Sequence, residues 1–219
     1  GQLHDKEKRY REAQDAYQKA QLDQRTTVAG KAERAFYRSR ANEIIDNPTN
    51  LDPRVMNELT KILRSQGGTQ VHLATALDII QFAEGRQLQA ATERTPSLFN
   101  SPMLGEKICV YLGQRMLQKQ TAKDAVKLLS SCVESMPKAT QAWCKLAKAI
   151  QANHQQAEGV KAMEKSLSLE PNPKMNIEFS RSLMAKNQWQ AAIDRLSVLP
   201  DDQTLRCLLY TSPSPRDRT

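Results

Sequence analysis

The side chains best suited to chemistry are few and scattered. Histidine occurs as His4, His72 and His154, and cysteine as Cys109, Cys132, Cys144 and Cys207. A zinc site needs thiolates or imidazoles in close sequence pairs, so that two ligands converge on one ion. No C-x-x-C pair occurs, and no histidine stands in metal-ligand spacing. No G-x-S-x-G nucleophile turn, H-E-x-x-H helix or G-x-x-x-x-G-K-[ST] phosphate loop is present. The residues therefore predict no enzyme active site, no metal and no cofactor. Surface or turn positions are expected for the histidines. Buried reduced thiols, with no disulfide framework, are expected for the cysteines.

What the sequence offers instead is charge. Lysine and arginine number 32 against 24 acidic residues, a net charge of +8. Such an excess fits an acidic protein partner, RNA, or a solvated basic surface. The elements that carry it are helical. Glycine numbers 8 and aromatic residues make up 5%, too little for a β-sandwich or barrel. No run alternates with period two, and no apolar run reaches the roughly 20 residues of a bilayer span. The fold class expected is all-α.

Residues 1–50 predict one or more long polar helices. Leu3, Tyr10 and Tyr17 with Ala13 and Ala20 make a narrow stripe, and Ala35, Phe36, Ile44 and Ile45 a second one, closed by Asn47-Pro48. Residues 51–94 predict a helical pair. Asp52 caps its first member at Pro53, with Val55, Leu59, Ile62 and Leu63 as the apolar stripe and Gly67-Gly68 as the stop. Its second member runs from 70 to 93 through Val71, Leu77, Ile80 and Phe82. Residues 95–104 hold two prolines and predict a loop. From 105 the helices shorten and pair, and Pro137, Pro171 and Pro200 close the pairs.

A 34-residue shift lays the chain on itself. Leu112-Gly113 falls on Leu146-Ala147, Met116 on Ile150, Ala125 on Gly159, Leu129 on Met163 and Pro137 on Pro171. A third copy fits one residue early, with Phe179-Ser180, Leu183, Ala192 and Leu196. Two antiparallel helices pack closely where a small residue meets a large one, and Gly113, Ala147 and Ala125, Gly159, Ala192 supply the small ones. Trp143 adds a large apolar area at the pair interface. This pattern resembles the tetratricopeptide repeat, W-x2-L-G-x2-Y, then A-x3-F, then P. Repeats are expected at 105–139 and 140–172, with a degenerate one at 173–200. Residues 53–83 predict a poorer copy through Leu59, Leu63, Ala76 and Ile80, with an insertion.

The resemblance implies a right-handed α-solenoid of antiparallel helix pairs, preceded by the longer N-terminal helices. It implies a protein-interaction scaffold whose first helices line a concave groove. On that register Lys107, Val110, Gln114, Lys148, Gln151, Lys174, Ile177 and Arg181 face the groove. Their cations and apolar groups imply an acidic, amphipathic peptide partner. A chaperone-tail site is not implied, because Val110 and Gln114 stand where that site has Lys and Asn. Competing expectations are an RNA-binding helical repeat and the non-catalytic part of a larger enzyme.

Cys207–Asp217 reads CLLYTSPSPRD, which resembles a translated sequencing adapter. Residues 201–219 are accordingly expected to be a disordered tail, not native from Cys207. The start at Gly1 predicts a truncated N-terminus. A cytoplasmic location is the expectation from the cysteines.

Overall fold

The computed structural model describes residues 10–21, 26–48, 52–170, 173–184 and 188–197. The expectations for Pro171, Pro200, Cys207 and the 201–219 tail lie outside these residues. The helices are α1 (Tyr10–Gln21), α2 (Thr26–Asp46), α3 (Pro53–Gln66), α4 (Gln70–Glu84), α5 (Leu88–Arg94), α6 (Pro102–Gln118), α7 (Ala122–Ser135), α8 (Thr140–Ala152), α9 (Gln156–Leu169), α10 (Pro173–Met184) and α11 (Trp189–Ser197). No strand occurs among the described residues, and no helix among them is long and apolar enough to cross a membrane.

Local chemistry sets the helix ends. Asp52 Oδ1 accepts the Arg54 N–H at 2.8 Å and so satisfies a donor at the start of α3, where proline costs no hydrogen bond. Gly67, at φ 68°, stops α3. The buried stripe of α3 is Met56, Leu59, Thr60 and Leu63. Val55, expected inside, is 44% exposed.

The second helix expected at 70–93 is two helices. Gly85, Arg86 and Gln87 break it, and Arg86 adopts a left-handed φ of 65°. The 95–104 loop is also corrected. Thr95–Leu98 is a 3-10 turn, and α6 already starts at Pro102, because proline suits a first helical position.

The break at Arg86 belongs to a series. Gln120 has φ 60° and His154 φ 63°, each 34 residues beyond the last. At each turn an amide reaches back to a carbonyl five residues earlier: Gln87 to Phe82 at 2.9 Å, Thr121 to Met116 at 3.0 Å, Gln155 to Ile150 at 3.1 Å. A fourth such bond joins Gln188 to Leu183 at 3.0 Å. In the first turn of the next helix the N–H of Ala91, Ala125, Gly159 or Ala192 reaches the carbonyl of the residue that closed the turn. Helical hairpins therefore repeat four times from α4 to α11. The extra copy is α4–α5 with its 3-10 turn, in register at 34 residues, rather than a copy at 53–83 that needs an insertion.

The hairpins stack as an α-solenoid in two layers. The first helices α2, α4, α6 and α8 pack side by side, and α10 continues the row. The second helices α3, α5, α7, α9 and α11 form the other layer, each packed on its neighbours in the first. One continuous core fills the space between, including Leu77, Ile80, Ile108, Leu112, Leu129, Leu146, Met163 and Phe179. The small residues sit where helices approach most closely. A Cβ on Gly113 would stand 2.8 Å from Leu129 Cδ1, so the Leu129 side chain or the α6–α7 spacing would have to shift. Trp143 is half-buried rather than enclosed, and its Nε1–H donates to the Pro137 carbonyl at 3.0 Å.

The cysteine expectation is corrected at two positions. Cys109 of α6 and Cys132 of α7 form a disulfide, with Cα atoms 6.5 Å apart and both side chains fully buried. They are 23 residues apart in sequence, so no short-spacing motif marks them. The hairpin brings them together, since both occupy inward positions of helices that pack on each other. Cys144 is a half-buried free thiol.

Candidate functional site

The first-helix layer presents the face that is concave in solenoids of this kind. On α6, α8 and α10 the packing residues Leu112, Gly113, Leu146, Ala147, Phe179 and Ser180 point to the core. The residues just after the small ones, Gln114, Lys148 and Arg181, and those one turn from them therefore face outward from this layer. Val110, Leu117, Cys144 and Met184 lie there half-buried, packed partly on the core beneath, and Ile177 is half-buried beside them. They form an apolar floor, and polar side chains stand along it.

Those polar side chains are engaged with one another, helix to helix. Lys107 is ion-paired with Asp46 at the end of α2, and Asp46 also accepts from the Tyr10 hydroxyl at 2.5 Å. Arg115 pairs with Glu84 of α4 at 2.7 Å, and the Tyr111 hydroxyl donates to the same carboxylate at 2.5 Å. Lys145 donates to Gln114 at 2.5 Å. Lys148 pairs with Glu178 of α10 at 2.5 Å, and Gln151 donates to Ser182 at 3.4 Å. Glu106 of α6 accepts the Gln141 N–H at 2.7 Å and the Ala142 N–H at 3.3 Å, which caps the start of α8 from the neighbouring repeat.

Sequence reasoning therefore placed Val110, Gln114, Lys148, Gln151, Ile177 and Arg181 on helices of one layer, but it read Lys107 and Lys148 as free charges. Both are neutralised by acids from adjacent helices, so the face is mixed in charge rather than uniformly basic. Arg181 is exposed and has no side-chain partner among the described residues. The Lys174 side chain lies outside the described residues. Asp46, Glu84, Glu106 and Glu178 were missed. For Glu84 the signal was a spacing. Glu84–Arg115, Gln114–Lys145 and Gln151–Ser182 are each 31 residues apart, about one helical turn short of the repeat.

The electrostatics of the face follow from partial burial. Burial and the Glu84 carboxylate raise the Tyr111 phenol well above its ordinary value. Burial, then the charge of Lys148, lowers the Lys145 ammonium. Burial raises the Cys144 thiol, against the neighbouring ammonium of Lys148. A raised thiol pKa means little thiolate at neutral pH, which is unsuited to nucleophilic work. Near the head of α6 the face opens into a cleft of about 570 Å³, between Asp46, Glu84, Glu106, Val110 and Tyr111, with Met103 on its lip at 81% exposure. Among the described residues no group of three or more histidine, cysteine, aspartate or glutamate side chains could hold a metal ion.

No protein-family model matches the chain. No curated protein matches it either. Solved structures of MamA align with it. MamA RS-1 ArsTM double mutant aligns over 83% of this chain and 97% of its own at 16% identity, with a TM-score of 0.50. MamA 41-end from Desulfovibrio magneticus RS-1 covers the same shares, 83% and 97%, at 16% identity and a TM-score of 0.49. MamA AMB-1 C2221 covers 75% and 95% at 18% identity and a TM-score of 0.46. At these identities the likeness concerns the fold, an all-α solenoid.

Proposed function

We propose that this chain is a protein-interaction scaffold, not an enzyme, and that its first-helix face receives an amphipathic peptide segment of a partner. The supporting observation is the floor of Val110 and Leu117 on α6, Cys144 on α8, and Ile177 and Met184 on α10, left half-exposed between polar side chains. Apolar anchors would lie on that floor. Acidic groups of the segment would meet Arg181 and Lys174, and would compete with Glu178 for Lys148. The acidic character is thereby assigned to the part of the partner that lies over α8 and α10. Over the Asp46–Glu84–Glu106 cleft, acids would meet three carboxylates, two of which already hold Lys107 and Arg115.

The reading is tested by screening the full chain against a displayed peptide library and measuring the recovered peptide with Arg181→Glu and Ile177→Glu variants. Recovered peptides should pair an acidic residue with apolar ones spaced for a helix or an extended strand. Each variant should weaken binding about tenfold, the order of one charge or one apolar anchor. Unchanged binding by both variants would remove this face from consideration.

A further inference from the structure

A second cleft, of about 250 Å³, opens where the heads of α4 and α6 meet the middle of α2. Arg38 and Asn42 of α2, Thr69 and His72 at α4, and Ser101 and Lys107 at α6 supply its polar lining. No carboxylate lines it. The side chains of Arg38, Asn42, Thr69, His72 and Ser101 have no hydrogen bond or ion pair with any described residue. On the rest of the first-helix face, Arg115, Lys145 and Lys148 each have a partner on a neighbouring helix. Lys107 is paired with Asp46, yet an ammonium carries three N–H groups and can serve a second acceptor. Three helices thus bring guanidinium, ammonium, imidazole, amide and two hydroxyls to one recess and provide no carboxylate of their own to balance its cations.

A recess of that make-up is complementary to a compact group with several acceptor oxygens and more than one negative charge. Guanidinium binds such a group in a fork, and hydroxyl, amide and imidazole N–H complete its shell. We propose that this cleft binds an oxyanion of the phosphate class, held chiefly by Arg38 with His72, Asn42 and the Thr69 and Ser101 hydroxyls around it. Leu73, Met103 and Leu104 complete the lining. The proposal shares only Lys107 with the peptide groove, and neither Arg181 nor the apolar floor takes part in it.

The test is a titration of the full chain with inorganic phosphate, at constant pH and with sodium chloride keeping ionic strength fixed, followed by the histidine ring signals in NMR. The His72 signals should move saturably while those of His154, at a distant turn, stay still. Arg38→Gln should weaken phosphate about tenfold, the scale of one charge-assisted contact, without lowering the melting temperature. His72→Gln, read by calorimetry, should weaken it by a smaller factor. Phosphoserine amide bound more tightly than phosphate would assign the site to a modified side chain, and equal affinity would assign it to the free ion. Parallel movement of His72 and His154, undiminished binding by Arg38→Gln, or equal binding of acetate would overturn the proposal.

Discussion

Arg86, Gln120 and His154 each hold a left-handed backbone that a side chain resists. Glycine would adopt it without strain, and its amide would still close the turn. Gln120→Gly should therefore raise stability by up to about 1 kcal/mol in urea denaturation, and Gln120→Val should lower it, because β-branching is least compatible with that φ. Cys109–Cys132 closes a loop of 23 residues. Its removal in Cys132→Ser should cost about 3 kcal/mol, and a non-reducing digest should yield the two peptides joined. Cys144 should be alkylated more slowly than free cysteine at pH 8, because burial raises its thiol and leaves less thiolate to react. A rate equal to that of free cysteine would contradict that account.

At the scale of the element, each hairpin is specified by few residues. The copies α6–α7 and α8–α9 were legible because Gly113, Ala147, Ala125 and Gly159 recur with large partners at fixed offsets. The α4–α5 copy was hidden because Thr75 and Asp78 stand where the pattern wants Trp and Leu, although its turn bonds match the others. Buried Ile79, Ile80, Ala91 and Leu98 take over the packing there. The register thus lives in backbone turns that side-chain patterns report only in part. The face of the candidate site was legible for the same reason as the hairpins, by position. Its pairing was not, since the acids lie on helices whose lateral neighbours only the fold defines. Gly113→Val should disrupt the α6–α7 contact and cost about 2 kcal/mol or more, while Gly30→Ala, with nothing within 4 Å of the added carbon, should be tolerated.

For the whole molecule, the lateral pairs run from α2 to α10 on one layer. Each is partly exposed and worth little alone, roughly 0–1 kcal/mol. Together they draw the first helices toward one another and so bear on curvature more than on stability. Glu84→Ala with Glu178→Ala should leave the helical circular dichroism intact and enlarge the radius of gyration in small-angle scattering. An unchanged radius would mean that core packing alone sets the bend. High salt should act in the same direction by screening the same pairs.

Glu106 carries a practical consequence. The opening amides of α8 are covered by a carboxylate borrowed from the preceding hairpin. A fragment that begins at residue 139 would expose those donors and fray from its leading end, while one that begins at residue 101 keeps lender and borrower together. The seams at which this chain can be divided are thus set by who lends to whom across a boundary, and not by where its prolines fall.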